Sequence, residues 1–111
     1  MATARFRKFV GNDQQFYFSL IAPNNEIILQ SEGYKSRANR DNGIQSVRTN
    51  ATNPGNFHIK DTKNGRWHFT LNSAHNGQVI GQSQVYSSKP AAEQGIAAVM
   101  KDAPIAVEVD G

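Results

Sequence analysis

The side chains best suited to chemistry in this sequence are its three histidines, all of which lie in the second half of the chain. His58 and His68 fall on neighbouring predicted strands and on the same face, with Lys60 across from His68. A pair of histidines can bind a metal ion or transfer protons. A third ligand is missing, because Asp61 should point to the opposite side of its strand. The pattern therefore predicts exposed strand residues, with no metal site and no cofactor.

Motifs that belong to enzymes are also missing from the sequence. It contains no G-x-S-x-G segment, no phosphate-binding glycine loop and no HExxH spacing. The absence of cysteine excludes disulfides, thiolate metal sites and cysteine nucleophiles. We therefore predict no catalytic residues and a protein that is not an enzyme.

Basic and aromatic side chains lie together on the predicted strands, in a pattern that is typical of a nucleic-acid-binding face. Single-stranded nucleic acid binds open sheets by stacking bases on aromatic rings and placing phosphates near basic groups. Six residues are predicted to lie on the sheet face away from the core: Arg7, Phe9, Tyr17, His58, Lys60 and His68. The leading prediction is a non-enzymatic binding or interaction module with a protein or single-stranded nucleic acid as partner. The alternative is weak single-stranded nucleic acid binding through this basic and aromatic face.

The net charge of +3 and the isoelectric point of about 9.5 come from the first half of the chain. Residues 1–55 contain seven basic and four acidic side chains, whereas residues 56–111 contain five of each. A surplus of three charges on 111 residues is small. It is also expected of any mildly basic, solvated surface. Charge alone therefore does not decide between the two functions.

The fold that must position these residues is encoded twice in the chain. A shift of 51 residues aligns Phe18 with Phe69, and after a one-residue insertion near Asn76 the shift becomes 52. Other matched pairs are Phe16 with Trp67, Gln30 with Gln82, Tyr34 with Tyr86, Gly43 with Gly95 and Val47 with Val99. The domain predicted from this duplication is pseudo-symmetric and covers residues 1–111, with repeat 1 at 5–51 and repeat 2 at 57–103. A polar linker is predicted at residues 49–56.

Each repeat is predicted to begin with a hairpin of two strands. Phe69 and Leu71 alternate with polar residues, as expected of a half-buried strand. The preceding Asn64-Gly65 pair permits a two-residue turn or a three-residue loop, and burial favours the loop, with Gly65 left-handed. Gln14 occupies the Gly65 position in repeat 1, which predicts a looser or differently closed turn there.

A third strand and then a helix complete each repeat. The third strands are predicted at residues 26–31 and 78–83, but adjacent apolar residues leave their inward face undecided. The helices begin after Ser36 and Ser88, whose hydroxyls can accept orphan backbone N–H groups. Residues 105–111 have no counterpart in repeat 1 and form either a frayed end or an added edge strand.

The helix interiors contain two informative residue types. Gly43 and Gly95 occupy equivalent mid-helix positions, where glycine costs about 1 kcal/mol relative to alanine. Their presence predicts a close approach of helix to sheet. Arg40 interrupts the apolar helix stripe at the position of Ala92, and we expect it at the edge of that stripe.

The repeated segments resemble the YegP-like family of small, mostly bacterial proteins of unknown function. The segments that carry the resemblance are 16–20, 25–28, 31–36 and 42–47, and again 67–71, 76–80, 83–88 and 94–99. The resemblance implies an α+β fold in which two tandem β-β-β-α repeats share one antiparallel sheet. That sheet would be bent into a half-barrel with both helices packed on it. The family brings no catalytic residues to carry over.

Length and composition agree with a single small domain. A chain of 111 residues has room for one shared core, and no run approaches the roughly 18 apolar residues of a membrane span. The N-terminal segment lacks the apolar stretch of a signal peptide. These features predict a cytoplasmic protein without a membrane partner, a monomer with an internal pseudo-dimer.

Overall fold

A computed structural model describes residues 3–111, so residues 1 and 2 of the predicted domain lie outside the described residues. Within the described range the chain forms seven strands and two α-helices. Repeat 1 contains β1 (Arg5–Val10), β2 (Phe16–Ile21), β3 (Ile27–Gln30) and α1 (Arg37–Asn50). Repeat 2 contains β4 (Phe57–Asp61), β5 (Trp67–Asn72), β6 (Val79–Gln82) and α2 (Lys89–Asp102), followed by β7 (Val107–Asp110). The predicted order of elements is confirmed.

The strands join one open sheet in the order β4-β5-β6-β3-β2-β1-β7. Strands β1 to β6 pair antiparallel with their neighbours, whereas β7 lies parallel to β1. The predicted α+β class and its two β-β-β-α repeats are therefore confirmed, but the sheet is mixed rather than purely antiparallel. The C-terminal tail is an edge strand and not a frayed end.

The two repeats meet in the middle of the sheet, where Gln30 of β3 pairs with Gln82 of β6. The helices reinforce this junction, because α1 packs on β2 and reaches β6, while α2 packs on β5 and reaches β3. The largest fully buried apolar side chains come from both repeats: Phe6, Phe18, Phe69, Leu20, Leu29, Ile44, Leu71, Val47 and Val99. The halves thus share one apolar core, as the duplication predicts.

The first hairpin has the same register in both repeats. Ile59 pairs with Phe69, which brings both side chains to the core face and confirms the three-residue loop. Asn64 and Gly65 are left-handed, with φ of 72° and 70°. Gln14 takes φ of 63° in repeat 1 and keeps the same loop length. The turn of repeat 1 is therefore not looser, because burial of the flanking strands sets the same register in both repeats. It is differently closed, as the alternative predicted: only Gln14 is left-handed in that loop, and the Asp13 carboxylate accepts the backbone N–H of Gln15.

The third strand buries two adjacent apolar residues through a bulge. Leu20 pairs with Leu29, but Ile21 pairs with Ile27, so the register shifts between them. Ile28 and Leu29 are consequently buried, whereas Ile27 is 40% exposed. Repeat 2 has the same shift at the equivalent position. The bulge resolves the inward face that the sequence left undecided.

Both helices begin as predicted and approach the sheet closely at their glycines. The hydroxyls of Ser36 and Ser88 accept N-cap hydrogen bonds of 3.1 and 3.2 Å. A methyl group added at Gly43 would overlap the hydroxyl of Tyr34, and Gly95 has the same relation to its own repeat's tyrosine. Each tyrosine stacks on the central phenylalanine of its repeat, with ring centroids 6.2 Å apart.

Arg40 is buried rather than placed at the edge of its helix stripe, and the expectation of an edge position is wrong. Only 6% of the Arg40 surface is exposed to solvent. The guanidinium carbon lies 5.7 Å from the ring centroid of Phe16, and Nε and Nη2 each donate to Asp41 at 3.3 Å. A planar guanidinium can be buried in this way because it stacks on an aromatic ring while its charge is paired.

The predicted linker begins inside α1, because residues 49 and 50 form the end of that helix. Asn50 donates to the carbonyl of Ser46 at 2.8 Å and accepts from the backbone N–H of Ala74 at 2.9 Å. The linker thus also ties repeat 1 to repeat 2.

Candidate binding surface on the helix-free side of the sheet

Strand alternation decides which side chains lie away from the helices. Arg7 pairs with Ser19 and Phe9 pairs with Tyr17, on the side opposite the buried Phe18. In repeat 2, His58, Lys60 and His68 occupy the corresponding side of β4 and β5. We call this helix-free side of the sheet the open face. All six residues predicted to share a face do so, which confirms that part of the prediction.

The first group on the open face is an aromatic stack capped by a cation. The rings of Phe9 and Tyr17 are 5.5 Å apart and inclined by only 12°. The guanidinium carbon of Arg7 lies 5.0 Å from the Phe9 ring centroid. Cation–π attraction and stacking of this kind hold flat side chains in a fixed column. The column presents aromatic edges and a positive charge to solvent.

Tyr17 is anchored at its polar end by the first hairpin loop. Its hydroxyl donates to the carboxylate of Asp13, which also accepts the backbone N–H of Gln15 at 3.0 Å. The hydrogen bond from Tyr17 lowers the pKa of Asp13 below its usual value. The same bond raises the pKa of Tyr17 above 10.0. The aspartate therefore orients the ring and keeps its hydroxyl protonated.

The second group lies on β4 and β5, where Lys60 pairs directly with His68 and His58 pairs with Thr70. The side chains of His58 and Lys60 are exposed, and that of His68 is half-buried. Asp61 pairs with Trp67 and points to the helix side, as the sequence indicated. Among residues 3–111, no three His, Cys, Asp or Glu side chains are grouped so that they could hold a metal ion.

The structure separates the six predicted residues into these two groups instead of joining them. Strands β6 and β3 lie between β5 and β2. The nearest strands of the two groups, β2 and β5, are therefore three strand spacings or about 14 Å apart, and the outermost strands, β1 and β4, are five spacings or about 24 Å apart. A ligand that contacts both groups must therefore be extended and must cross the middle of the sheet.

A row of polar side chains, which local sequence patterns do not identify, connects the two groups. Each residue of the row pairs with the next across the strands: Arg7, Ser19, Gln30, Gln82, Thr70 and His58. The row is symmetric about the junction of the repeats, since Gln30 corresponds to Gln82 in the duplication. That match was visible in the sequence, but only the register shows that it lies at the centre of the open face. A shallow depression of about 220 Å³ adjoins the two glutamines.

Charge is distributed between the two sides of the sheet more unevenly than between the two halves of the chain. The carboxylates of the described strands, which are those of Asp61, Glu108 and Asp110, share the helix side with core residues. The open face instead carries the strand residues Arg5, Arg7 and Lys60 together with two histidines. The strand residues of this face therefore favour anions, while the first hairpin loop places the carboxylate of Asp13 beside Tyr17.

Two polar atoms in the row have unused hydrogen-bonding capacity. Nε of Arg7 and Oγ of Ser19 are buried and have no partner among the described residues. The two residues are directly paired across β1 and β2. Buried polar atoms normally have partners, so this pair is an uncommon feature of the open face.

Two equivalent grooves occur on the other side, between each helix and the third strand of the opposite repeat. The larger groove encloses about 490 Å³ and is lined by residues that include Tyr34, Asn42 and Ile80. The smaller groove encloses about 200 Å³ and is lined by the equivalent positions, including Tyr86 and Gln94. Burial raises the pKa of both tyrosines, so their hydroxyls stay protonated. The described lining of each groove contains one carboxylate and no histidine.

No helix in residues 3–111 has the length and apolar character needed to cross a membrane.

Comparison with known proteins identifies related sequences of unknown function. The profile of a domain of unknown function, DUF1508, matches residues 12–57 and again residues 62–110. UPF0339 protein PA0329 of Pseudomonas aeruginosa is 47% identical over 101 residues, which cover 91% of each chain. The UPF0339 protein YegP of Yersinia pestis is 42% identical over 102 residues, covering 92% of this chain and 90% of the relative. The predicted resemblance to YegP-like proteins is confirmed.

Solved structures agree with this relationship. The solution NMR structure of YegP from Escherichia coli, a protein of unknown function, superposes with a TM-score of 0.92 at 36% identity. It covers all of this chain, and 95% of its own chain is matched. UPF0339 protein SO3888 from Shewanella oneidensis gives a TM-score of 0.90 at 36% identity, over 97% of this chain and 91% of its own.

Proposed function

The chain belongs to the DUF1508 family, whose function is unknown, and we propose that it is a non-enzymatic binding module whose ligand docks on the open face. The observation that carries this proposal is the separation of charge across the sheet. Strand carboxylates face the helices, whereas Arg5, Arg7 and Lys60 face away from them. A surface that is free of strand carboxylates and covered by no helix is suited to an anionic or strongly polar ligand.

The side chains of this surface are arranged for contact rather than for bond-making. The groups on the open face are spread over a sheet instead of converging on one point, whereas proton transfer needs donor and acceptor within hydrogen-bond reach. The shifted pKa values have structural causes, since Asp13 and Tyr17 bond each other and burial acts on the other two tyrosines. These features support recognition without a chemical step.

The ligand class favoured by a specific observation is single-stranded nucleic acid. Phe9 and Tyr17 form a stack beside Arg7, while Lys60 and His68 lie on the same face, three to five strand spacings or about 14–24 Å across the sheet. A span of that size suits several nucleotides of an extended strand. Bases would pack against the edges of the aromatic column, and phosphates would lie near the cations.

The test is a fluorescence-anisotropy titration of a labelled single-stranded oligonucleotide at low salt. Tyr17→Ala should weaken binding roughly fivefold or more, whereas Tyr17→Phe should keep most of the affinity, because it retains the ring and loses only the hydrogen bond to Asp13. Lys60→Ala should weaken binding, but Lys101→Ala, an equal loss of charge on an exposed residue of α2, should not. Three phosphate contacts would give a salt dependence with a slope of about −2 on logarithmic axes.

Flat titrations at low salt would reject single-stranded nucleic acid as the ligand. The more general proposal of a binding module would then be tested by affinity capture from native bacterial lysate. Capture is compared between the unchanged chain, the Lys60→Ala variant and the Lys101→Ala variant, with proteins and nucleic acids both identified. Partners lost only with Lys60→Ala support the open face. Equal capture by all three chains contradicts it. We place this role in the cytoplasm, as the cysteine-free composition suggests.

A further inference from the structure

The two outer strands of the repeats occupy equivalent positions, but among residues 3–111 only one of them has a neighbouring strand on its outer side. Strand β1 is covered by β7, which pairs parallel to it from Arg5 to Lys8. Strand β4 is the terminal strand at the opposite end of the sheet. Because a sheet edge presents unpaired backbone N–H and C=O groups, β4 can accept another strand.

The pairing of β7 with β1 shows which backbone groups of the repeat face outward. The carbonyls of Ala4 and Lys8 accept hydrogen bonds of 3.1 and 2.7 Å from β7 and the residue after it. A shift of 51 residues places Ile59 at the position of Lys8. The backbone N–H and C=O of Ile59 therefore point away from β5, toward the free side of β4. The repeat itself thus defines the register of an added strand.

The side chains beside the two edges differ in chemistry. On β1, Lys8 pairs with Glu108 at 3.5 Å, and Arg48 of α1 pairs with the same carboxylate at 3.5 Å. The equivalent residues of repeat 2 are Ile59 and Met100, both partly exposed and packed against the core. The β1 edge thus carries two cations that pair with an acidic residue of β7, whereas apolar side chains occupy the equivalent positions beside the β4 edge.

We propose that the outer edge of β4 binds an extended peptide segment of another protein as a parallel eighth strand, with apolar side chains at the two alternate positions that face the helix layer. These positions correspond to Glu108 and Asp110 of β7. Strand β4 has five residues and carries the exposed Lys60 and Asp61. Charged residues on a short edge discourage unselective pairing, so a short matched segment fits better than a long one. This inference is independent of the proposed function of the open face.

Incomplete burial of apolar residues in α2 and β4 supports an added strand with apolar side chains. Ile44 of α1 is fully buried, whereas the equivalent Ile96 of α2 remains partly exposed. Phe6 is also fully buried, whereas the equivalent Phe57 is 8% exposed. The more exposed residues belong to the repeat whose outer strand is the terminal strand of the sheet, and an added strand on β4 would be expected to reduce their exposure.

The experiment is an NMR titration of the full chain with two synthetic peptides. One has the tail sequence Ala-Val-Glu-Val-Asp-Gly, and the other has leucine in place of glutamate and aspartate. The leucine peptide should shift the amide signals of Ile59 and Asp61, and it should bind at least about tenfold more tightly than the acidic peptide. Absence of shifts at β4, or equal binding of the two peptides, would overturn the proposal.

A specificity swap provides the matched variant. Ile59→Lys combined with Met100→Arg gives repeat 2 the side chains that repeat 1 already carries, so the fold should tolerate both. The variant should then prefer the acidic peptide. Unchanged preference contradicts the proposal, as does a concentration-dependent shift of the β4 amides without peptide, because a second copy of the chain would then occupy the edge.

Discussion

Strands β1 and β4 occupy the same position in their repeats but different surroundings in the molecule. Next to β1, the tail strand β7 supplies Glu108, which pairs with Lys8 and Arg48. Next to β4 there is no strand within the described residues, and Ile59 and Met100 take the places of the two cations. The repeat thus builds two similar halves, and four residues outside it decide which half is completed.

The same comparison changes the interpretation of charge. In sequence, the positive surplus belongs to residues 1–55. In space, Glu108 and Asp110 come from the other half and lie beside Lys8. The relevant asymmetry is therefore between the open face and the helix side, and not between the two repeats.

The largest expected effect concerns the core, where the repeats should behave alike. Phe18→Ala and Phe69→Ala should each lower the free energy of unfolding by roughly 3–5 kcal/mol, since both rings are fully buried. Chemical denaturation monitored by circular dichroism should show one transition for each variant. If either alanine variant fails to fold, Phe18→Leu and Phe69→Leu provide the comparison. Two separate unfolding transitions, or unfolding that is confined to the substituted repeat, would contradict the shared core.

A smaller effect is expected where the helices approach the sheet. Gly95→Ala adds a methyl group that overlaps the Tyr86 hydroxyl. Overpacking costs about 1–3 kcal/mol, whereas the better helix propensity of alanine returns about 1 kcal/mol. The net result should be a modest destabilisation, and Gly43→Ala should match it.

The second variant for this comparison is Gly95→Ala combined with Tyr86→Phe. Removal of the hydroxyl makes room for the methyl group, so part of the lost stability should return. A thermal melt measures both effects. If Gly95→Ala alone raises the melting temperature, the close approach of helix and sheet does not restrict the residue at this position.

The smallest expected effect is a difference between the first hairpin loops of the two repeats. Tyr17 bonds Asp13 in repeat 1, whereas the equivalent residues of repeat 2 are His68 and Asn64. The pKa of Tyr17 is raised above 10.0, first by this hydrogen bond. In Asp13→Asn it should move back toward 10.0, while the pKa values of Tyr34 and Tyr86, raised first by burial, should not move.

An NMR pH titration of the tyrosine rings measures this difference. The sign for Asp13 follows from its lowered pKa: its contribution to stability is present above the unfolded pKa of about 3.8 and is lost as the pH falls through the lower folded value. For Tyr17 the contribution is present below pH 10.0 and is lost as the pH rises through the raised folded value. An unchanged Tyr17 pKa in Asp13→Asn would contradict the pairing.

The amino-acid sequence alone determined the duplication, the order of strands and helices, the N-caps at Ser36 and Ser88 and the six residues of the open face. These features are local or repeat within the chain, so that spacing and alternation are sufficient to recognise them. The same reasoning predicted a looser or differently closed turn at Gln14, of which only the different closure occurs, and placed the buried Arg40 at an edge. In both cases packing by residues distant in sequence outweighs the preference of the single residue.

Only the tertiary structure decided the direction of β7, the separation of the two groups on the open face by three to five strand spacings, and the central pair of Gln30 and Gln82. Each depends on which strands become neighbours, and strand pairing between distant segments is set by the burial of a common core rather than by local pattern. The terminal position of β4 in the described sheet has the same origin, because β7 pairs with β1 at the opposite end.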